Sequence, residues 1–197
     1  MKDLESKNRG LKKILITDEA ISHVKDIRFE GLTAEESEIL NQLNRRLLRI
    51  SKDENQSNED ALTICFHQDA DAEIGIAFGD EHSVDPDSDA DSYHILNGTN
   101  ICTVIVTHNH PSLSLISLND VEFFLKKYSV RHFVAVTNLG VVSYLYKMDN
   151  YDYEKSVTLY NQCVDMNNEA NGDLKKVQDA ASFFLHHCFE CGISYVK

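Results

Sequence analysis

The chain has 197 residues, 42% of them apolar and 26% charged, with 8 Gly and 2 Pro. That balance excludes a disordered, collagen-like or repeat-array polypeptide and sets the expectation of one globular domain with appendages. Lys and Arg number 19 against 32 Asp and Glu, a formal charge of −13, which argues against general nucleic-acid binding, because neutralising a phosphate backbone needs cationic surface.

The charge is unevenly placed. Residues 51–100 carry 13 acidic side chains and one basic one, so one segment supplies nearly all the excess. It reads either as a solvated acidic face or as a surface that attracts a basic partner. The segment from Met1 to Arg9 has no apolar run behind it, and no stretch approaches the length that crosses a bilayer. Five cysteines, an odd number in a chain long enough to build a core without staples, suit a reducing compartment. The expectation is a soluble, cytoplasmic protein.

In chain order, residues 11–17 (LKKILIT) read as a short strand or as the lead-in to a helix beginning near Asp18. Thr33-Ala-Glu-Glu36 is a capping box, and Ile39, Leu40, Leu43, Leu47 and Leu48 follow it at helical spacing, predicting an amphipathic helix over 33–50. Residues 51–60 read as a polar loop. The β-rich runs 62–66 and 73–78, separated by Asp-containing turn chemistry, predict a hairpin. Residues 80–91 (DEHSVDPDSDAD) read as an acidic loop, mobile when free.

Residues 101–107 are almost continuously apolar and β-branched, as in a strand buried on both faces. A helix from Ser117, strands over 131–137 and 141–146 joined by an Asn-Leu-Gly turn, and helices over 153–166 and 173–191 complete the pattern. The fold class is therefore α/β or α+β, a central mixed sheet of about five or six strands flanked by helices. Its expected organisation is an N-terminal segment (1–32), a sheet domain (33–147) and a helical extension (148–197).

Chemistry concentrates in residues 107–120, THNHPSLSLISLND. His108 and His110 are two apart at a strand end, so both imidazoles project from one face. Asp120 falls in the first turn of the next helix, from which a carboxylate can reach back. Two imidazoles and a carboxylate with one position left for water is the composition of a catalytic zinc site. The plainer reading makes Ser117 and Asp120 a helix N-cap and its first-turn acid.

His108-Asn-His110-Pro, Ser117 and Asp120 resemble the JAB/JAMM (MPN+) metalloprotease motif H-x-H-x(7)-S-x-x-D, with HNHPS closest to the RadC-like and the toxin- or phage-associated branches. The resemblance spans residues 33–147. Six residues separate His110 from Ser117 here, one fewer than in the motif. The resemblance implies a JAB/MPN-like (cytidine deaminase-like) sheet and zinc held by His108, His110 and Asp120. It further implies Ser117 as oxyanion donor and an upstream Glu as general base in the hydrolysis of a peptide or isopeptide bond. Glu59 stands in the position of that Glu, with Glu73 the alternative.

Two other readings stay open: an interaction module of the same fold without catalysis, from a phage, toxin or defence system, and a RadC-like protein. His186, Cys188 and Cys191 read as a second zinc site or as apolar cysteines on an amphipathic helix. Cys65 and Cys102, in apolar runs, are expected to be buried and structural.

Overall fold

The computed structural model describes residues 13–66 and 72–197. The expectations for Met1 to Arg9, for residues 11 and 12, and for the turn joining the first hairpin lie outside the described residues.

Short helix α1 (Asp18–His23) follows an extended lead-in, with Thr17 accepting from the Ala20 N–H. Helix α2 (Ala34–Glu54) starts at the Thr33/Glu36 capping box and runs four residues past the expected end. The polar sequence Ser-Lys-Asp-Glu continues it because Ser51 is buried and its hydroxyl donates to the Asn58 carbonyl at 2.6 Å. Strands β1 (Asp60–Phe66) and β2 (Ala72–Phe78) form the predicted antiparallel hairpin.

The acidic segment is more structured than expected. It holds a 3₁₀ turn at Pro86–Ser88 and leads into helix α3 (Ala90–Gly98). Its carboxylates have local partners: Asp80, Asp85 and Asp89 accept backbone N–H groups at turn and helix starts, and Asp87 pairs with Lys127. Aspartates spaced this way cap and turn the chain.

Strand β3 (Val104–His110) begins three residues later than expected and includes both histidines. Ile101 and Cys102 instead form the turn into it; Ile101 is exposed and Cys102 has φ 56°. Helix α4 (Leu118–Lys126) and strands β4 (Val130–Thr137) and β5 (Val142–Lys147) follow. The turn between the last two needs Gly140, whose φ is +83° and whose added Cβ would stand 2.4 Å from the Ala20 carbonyl oxygen. The C-terminal region is not purely helical. After α5 (Tyr153–Glu169) and α6 (Leu174–His187), strand β6 (Ile193–Val196) returns to pair with β5.

The six strands lie in the order β2-β1-β3-β4-β5-β6, with β3 and β4 parallel and every other pair antiparallel. This is a mixed α+β architecture with one apolar layer on each face. Leu40, Leu43 and Leu47 of α2 pack on Ile64, Ile105 and Val134. On the other face Val104, Val106 and Phe133 meet Phe124 of α4, Cys163 of α5 and Phe184 of α6. Helix α4 is secured at its C-terminal end by Lys147, whose buried ammonium donates to the Phe124 and Lys127 carbonyls at 2.9 Å each. Burial holds that ammonium down at about 8.

The two-residue period of β3 splits its end between the faces. His108 and His110 share the side of Val104 and Val106, while Thr107 and Asn109 turn toward α2. Asn109, fully buried, has every polar atom engaged. Its Oδ1 accepts from the Asp60 N–H at 2.8 Å, and its Nδ2 donates to the Asn58 carbonyl at 2.7 Å and to Asn138 Oδ1 at 2.8 Å. The bonds to Asn58 and Asp60 bracket Glu59. Replacing Asn109 with Ala orphans the buried Asp60 N–H and the buried Asn138 amide oxygen, while the Asn58 carbonyl keeps the Ser51 hydroxyl, so Asn109→Ala should destabilise the fold by about 2–4 kcal/mol. A urea melt reads this as a lower midpoint with an unchanged slope.

Candidate metal centre

Ala61 pairs with His108 across the antiparallel β1/β3 ladder. Continuing that register by two residues sets Glu59 opposite His110, on the same face as both histidines. Glu59 is held there by its own backbone bonds, its N–H to the Asp80 carbonyl and its carbonyl to the Gly79 N–H. The residue is 8% exposed.

Asp120 arrives from the opposite direction. Ser117 is the N-cap of α4: its Oγ accepts from the Asp120 N–H at 3.2 Å, and its own N–H donates to Asp120 Oδ2 at 2.6 Å. This reciprocal capping box orients the carboxylate at the end of β3. Asp120 Oδ1 lies 3.3 Å from His108 Nε2 and Oδ2 lies 3.4 Å from His110 Nε2. The two Nε2 atoms are themselves 2.7 Å apart. Ser117 keeps its hydroxyl proton, because in the cap it acts as acceptor.

One ligand atom each from Glu59, His108, His110 and Asp120 falls within 4.8 Å of all the others, and this is the group among the described residues that could hold a metal ion. The donor chemistry fits a cation. His110 Nδ1 sits 2.7 Å from the Ser114 carbonyl, which can only accept, so Nδ1 carries the hydrogen and Nε2 of the neutral ring presents its lone pair inward. His108 Nδ1 is buried without a hydrogen-bond partner, its ring packed 4.7 Å from that of Phe133. Two buried carboxylates beside two imidazoles also form a negative cage that a divalent ion would neutralise.

Without an ion, the groups compensate one another. Burial alone would depress the His110 imidazolium, but the charge and hydrogen bond of Asp120, with Glu59 behind, override it and raise the group to about 9. Burial would raise the Asp120 carboxyl, yet the two histidines hold it well below its usual range. Glu59 is pushed upward by burial, only partly offset by His110 and His108.

The other candidate residues separate from this centre. Glu73 lies in β2 opposite Cys65, at the far end of the hairpin from the His108 pairing, and is not part of the ligand group. Cys188 and Cys191 are buried in a 3₁₀ turn after α6, where burial pushes the Cys188 thiol up to about 12. His186 turns outward and bonds the Ser182 carbonyl at 2.6 Å. Of the two readings, a second zinc site and buried apolar cysteines, the described residues give the second: His186, Cys188 and Cys191 do not come together as a ligand group. Cys65 is buried as expected, whereas Cys102 is half-buried in its turn.

The centre opens into a cavity of about 670 Å³. Its walls include Lys13, Glu81 and Ser117, and residues of α6 that no motif in the sequence marks. Lys13 reaches it because Ile14 is tied on both sides, its N–H to the Pro111 carbonyl and its carbonyl to Asn138. Its Nζ donates to Asn58 Oδ1, one residue before Glu59.

These linked groups make pH a probe of the site. The raised His110 contributes stability below about pH 6.5 that is lost as pH rises toward 9, and the depressed Asp120 contributes stability above about pH 4 that is lost on acidification. Metal-free protein should therefore be most stable between those limits. A divalent metal must displace the His110 proton, so calorimetric titration near pH 7 in buffers of different ionisation heat should show about one proton released per ion.

No family model, curated protein or solved structure matches this chain in comparisons with known proteins, so its functional reading rests on the chemistry of this site.

Proposed function

We propose that the chain is a zinc-dependent hydrolase that cleaves a peptide or isopeptide bond by a JAMM-like mechanism. The observation that carries this reading is the convergence of Glu59, His108, His110 and Asp120 at one end of an open cavity, each delivered by hydrogen-bonded backbone of β1, β3 or the α4 cap. A mixed imidazole and carboxylate set suits zinc among the common divalent ions. The resemblance of HNHP…S…D to the JAB/JAMM motif supplies the bond class.

In this assignment His108, His110 and Asp120 hold the metal, which when bound supplies Lewis acidity and an acidified water. Glu59 accepts the proton of the attacking water and returns it to the departing amine nitrogen as the C–N bond breaks. Burial suits it to this, since a carboxyl pushed upward is the stronger base toward the water proton. Ser117 donates its O–H to the oxyanion that develops on the scissile carbonyl. Asn109 is the positioning residue that keeps Glu59 in register with His110. The substrate is then a protein or peptide, and the acidic excess of residues 51–100, which carry 13 acidic side chains and one basic one, favours a basic one.

Elemental analysis and hydrolysis of a quenched-peptide and isopeptide panel test this together. His108→Ala and His110→Ala should abolish both metal and turnover, while Glu59→Gln should keep the metal and lose about 10²–10⁴-fold in kcat. Stoichiometric zinc in the double histidine variant overturns the ligand assignment. An active Glu59→Gln beside a dead Glu73→Gln overturns the base, and wild-type protein that loads zinc but hydrolyses nothing favours the interaction module of the same fold.

A further inference from the structure

The C-terminal helices, which carry no recognisable motif, form one wall of the cavity at whose end the metal ligands stand. Val177, Ala181 and Leu185 of α6 line it, and their four-residue spacing stacks them in one stripe along the helix. Phe123 of α4 and Phe133 of β4 line the same cavity, and Phe133 is also the ring against His108. The three stripe residues are half-buried, each presenting part of its surface to the cavity. Ala181, in the middle, is the smallest of them, so the wall is recessed at that point.

Asn167 of α5 also lines the cavity, but its side-chain Oδ1 is itself buried, so α6 supplies the surface that a substrate side chain can meet.

We propose that the face of α6 formed by Val177, Ala181 and Leu185 is a specificity subsite that takes an apolar side chain of an extended peptide substrate next to its scissile bond. This rests on the hydrolase reading of the metal centre and deepens it. The C-terminal region thereby gains a role of its own, in which α5 and α6 form a substrate-selecting wall and the return of β6 to the sheet fastens that wall in place.

The test compares peptides that differ only in the residue flanking the scissile bond, Gly against Leu or Phe, and reads the ratio of their kcat/KM values. Wild-type protein should favour the apolar peptides by at least about tenfold, the usual discrimination of an apolar pocket. Ala181→Trp, which fills the recess, should collapse that ratio through KM. Leu185→Ala, which enlarges it and keeps the helix, should shift preference toward Phe over Leu. Binding of fluorescein-labelled Phe and Gly peptides to zinc-loaded Glu59→Gln protein, by anisotropy, gives a readout independent of turnover and should show the same order. Hydrolysis without apolar preference, or a preference untouched by both α6 variants, overturns the subsite and leaves the hydrolase standing. Apolar-selective binding without any wild-type hydrolysis keeps the subsite and overturns the hydrolase.

Discussion

The site depends on the side-chain alternation of β3 at one tripeptide. His108 and His110 leave the strand on one face because a strand repeats every two residues, so Asn109 must leave on the other. Its amide is then buried against the start of β1, the end of α2 and the β4–β5 turn, where it meets the backbone on both sides of Glu59. The same strand geometry that aims two imidazoles into the cavity thus fixes the carboxylate facing them. Buried amides of this kind are costly when half-satisfied and specify one register when complete, and Asn109 is complete.

The electrostatics of the centre follow from burial. Two carboxylates and two imidazoles share a space largely closed to water, so their charges must cancel locally. In the metal-free chain a proton between the imidazoles and Asp120 does this, which is why His110 rises and Asp120 falls. A divalent ion would do the same with more charge. Metal binding and proton binding are therefore alternatives at one site. The capping box of α4 belongs to both states, since Ser117 holds Asp120 through the backbone whichever cation is present.

Around this centre, features that look independent in sequence serve one cavity. The acidic stretch after β2 is ordered by its own aspartates, and Asp87 ties it to Lys127 at the end of α4. Lys147 secures the same helix end. The C-terminal helices close the far side and return a strand to the sheet edge. The helix carrying Asp120 is thus fixed at its C-terminal end, while its own N-terminal cap orients the carboxylate.

Local signals were enough for much of this. The capping box at Thr33, the leucine spacing of α2, the alternating hairpin and the Asn-Leu-Gly turn are decided by residues within a few positions of one another, as are the His-x-His pair and the Ser117–Asp120 cap. The sequence by itself therefore determined the fold class, most elements and the residues able to bind a metal. The span of β3, helix α3, strand β6 and the role of Asn109 came only with the tertiary structure. Helix α3 is short and opens amid acidic residues that read as loop, and β6 is four residues long with no periodicity to mark it. Which glutamate faces the histidines was likewise a tertiary decision, because the pairing of β1 with β3 brings together residues some fifty positions apart, and no pattern along the chain records which strands become neighbours.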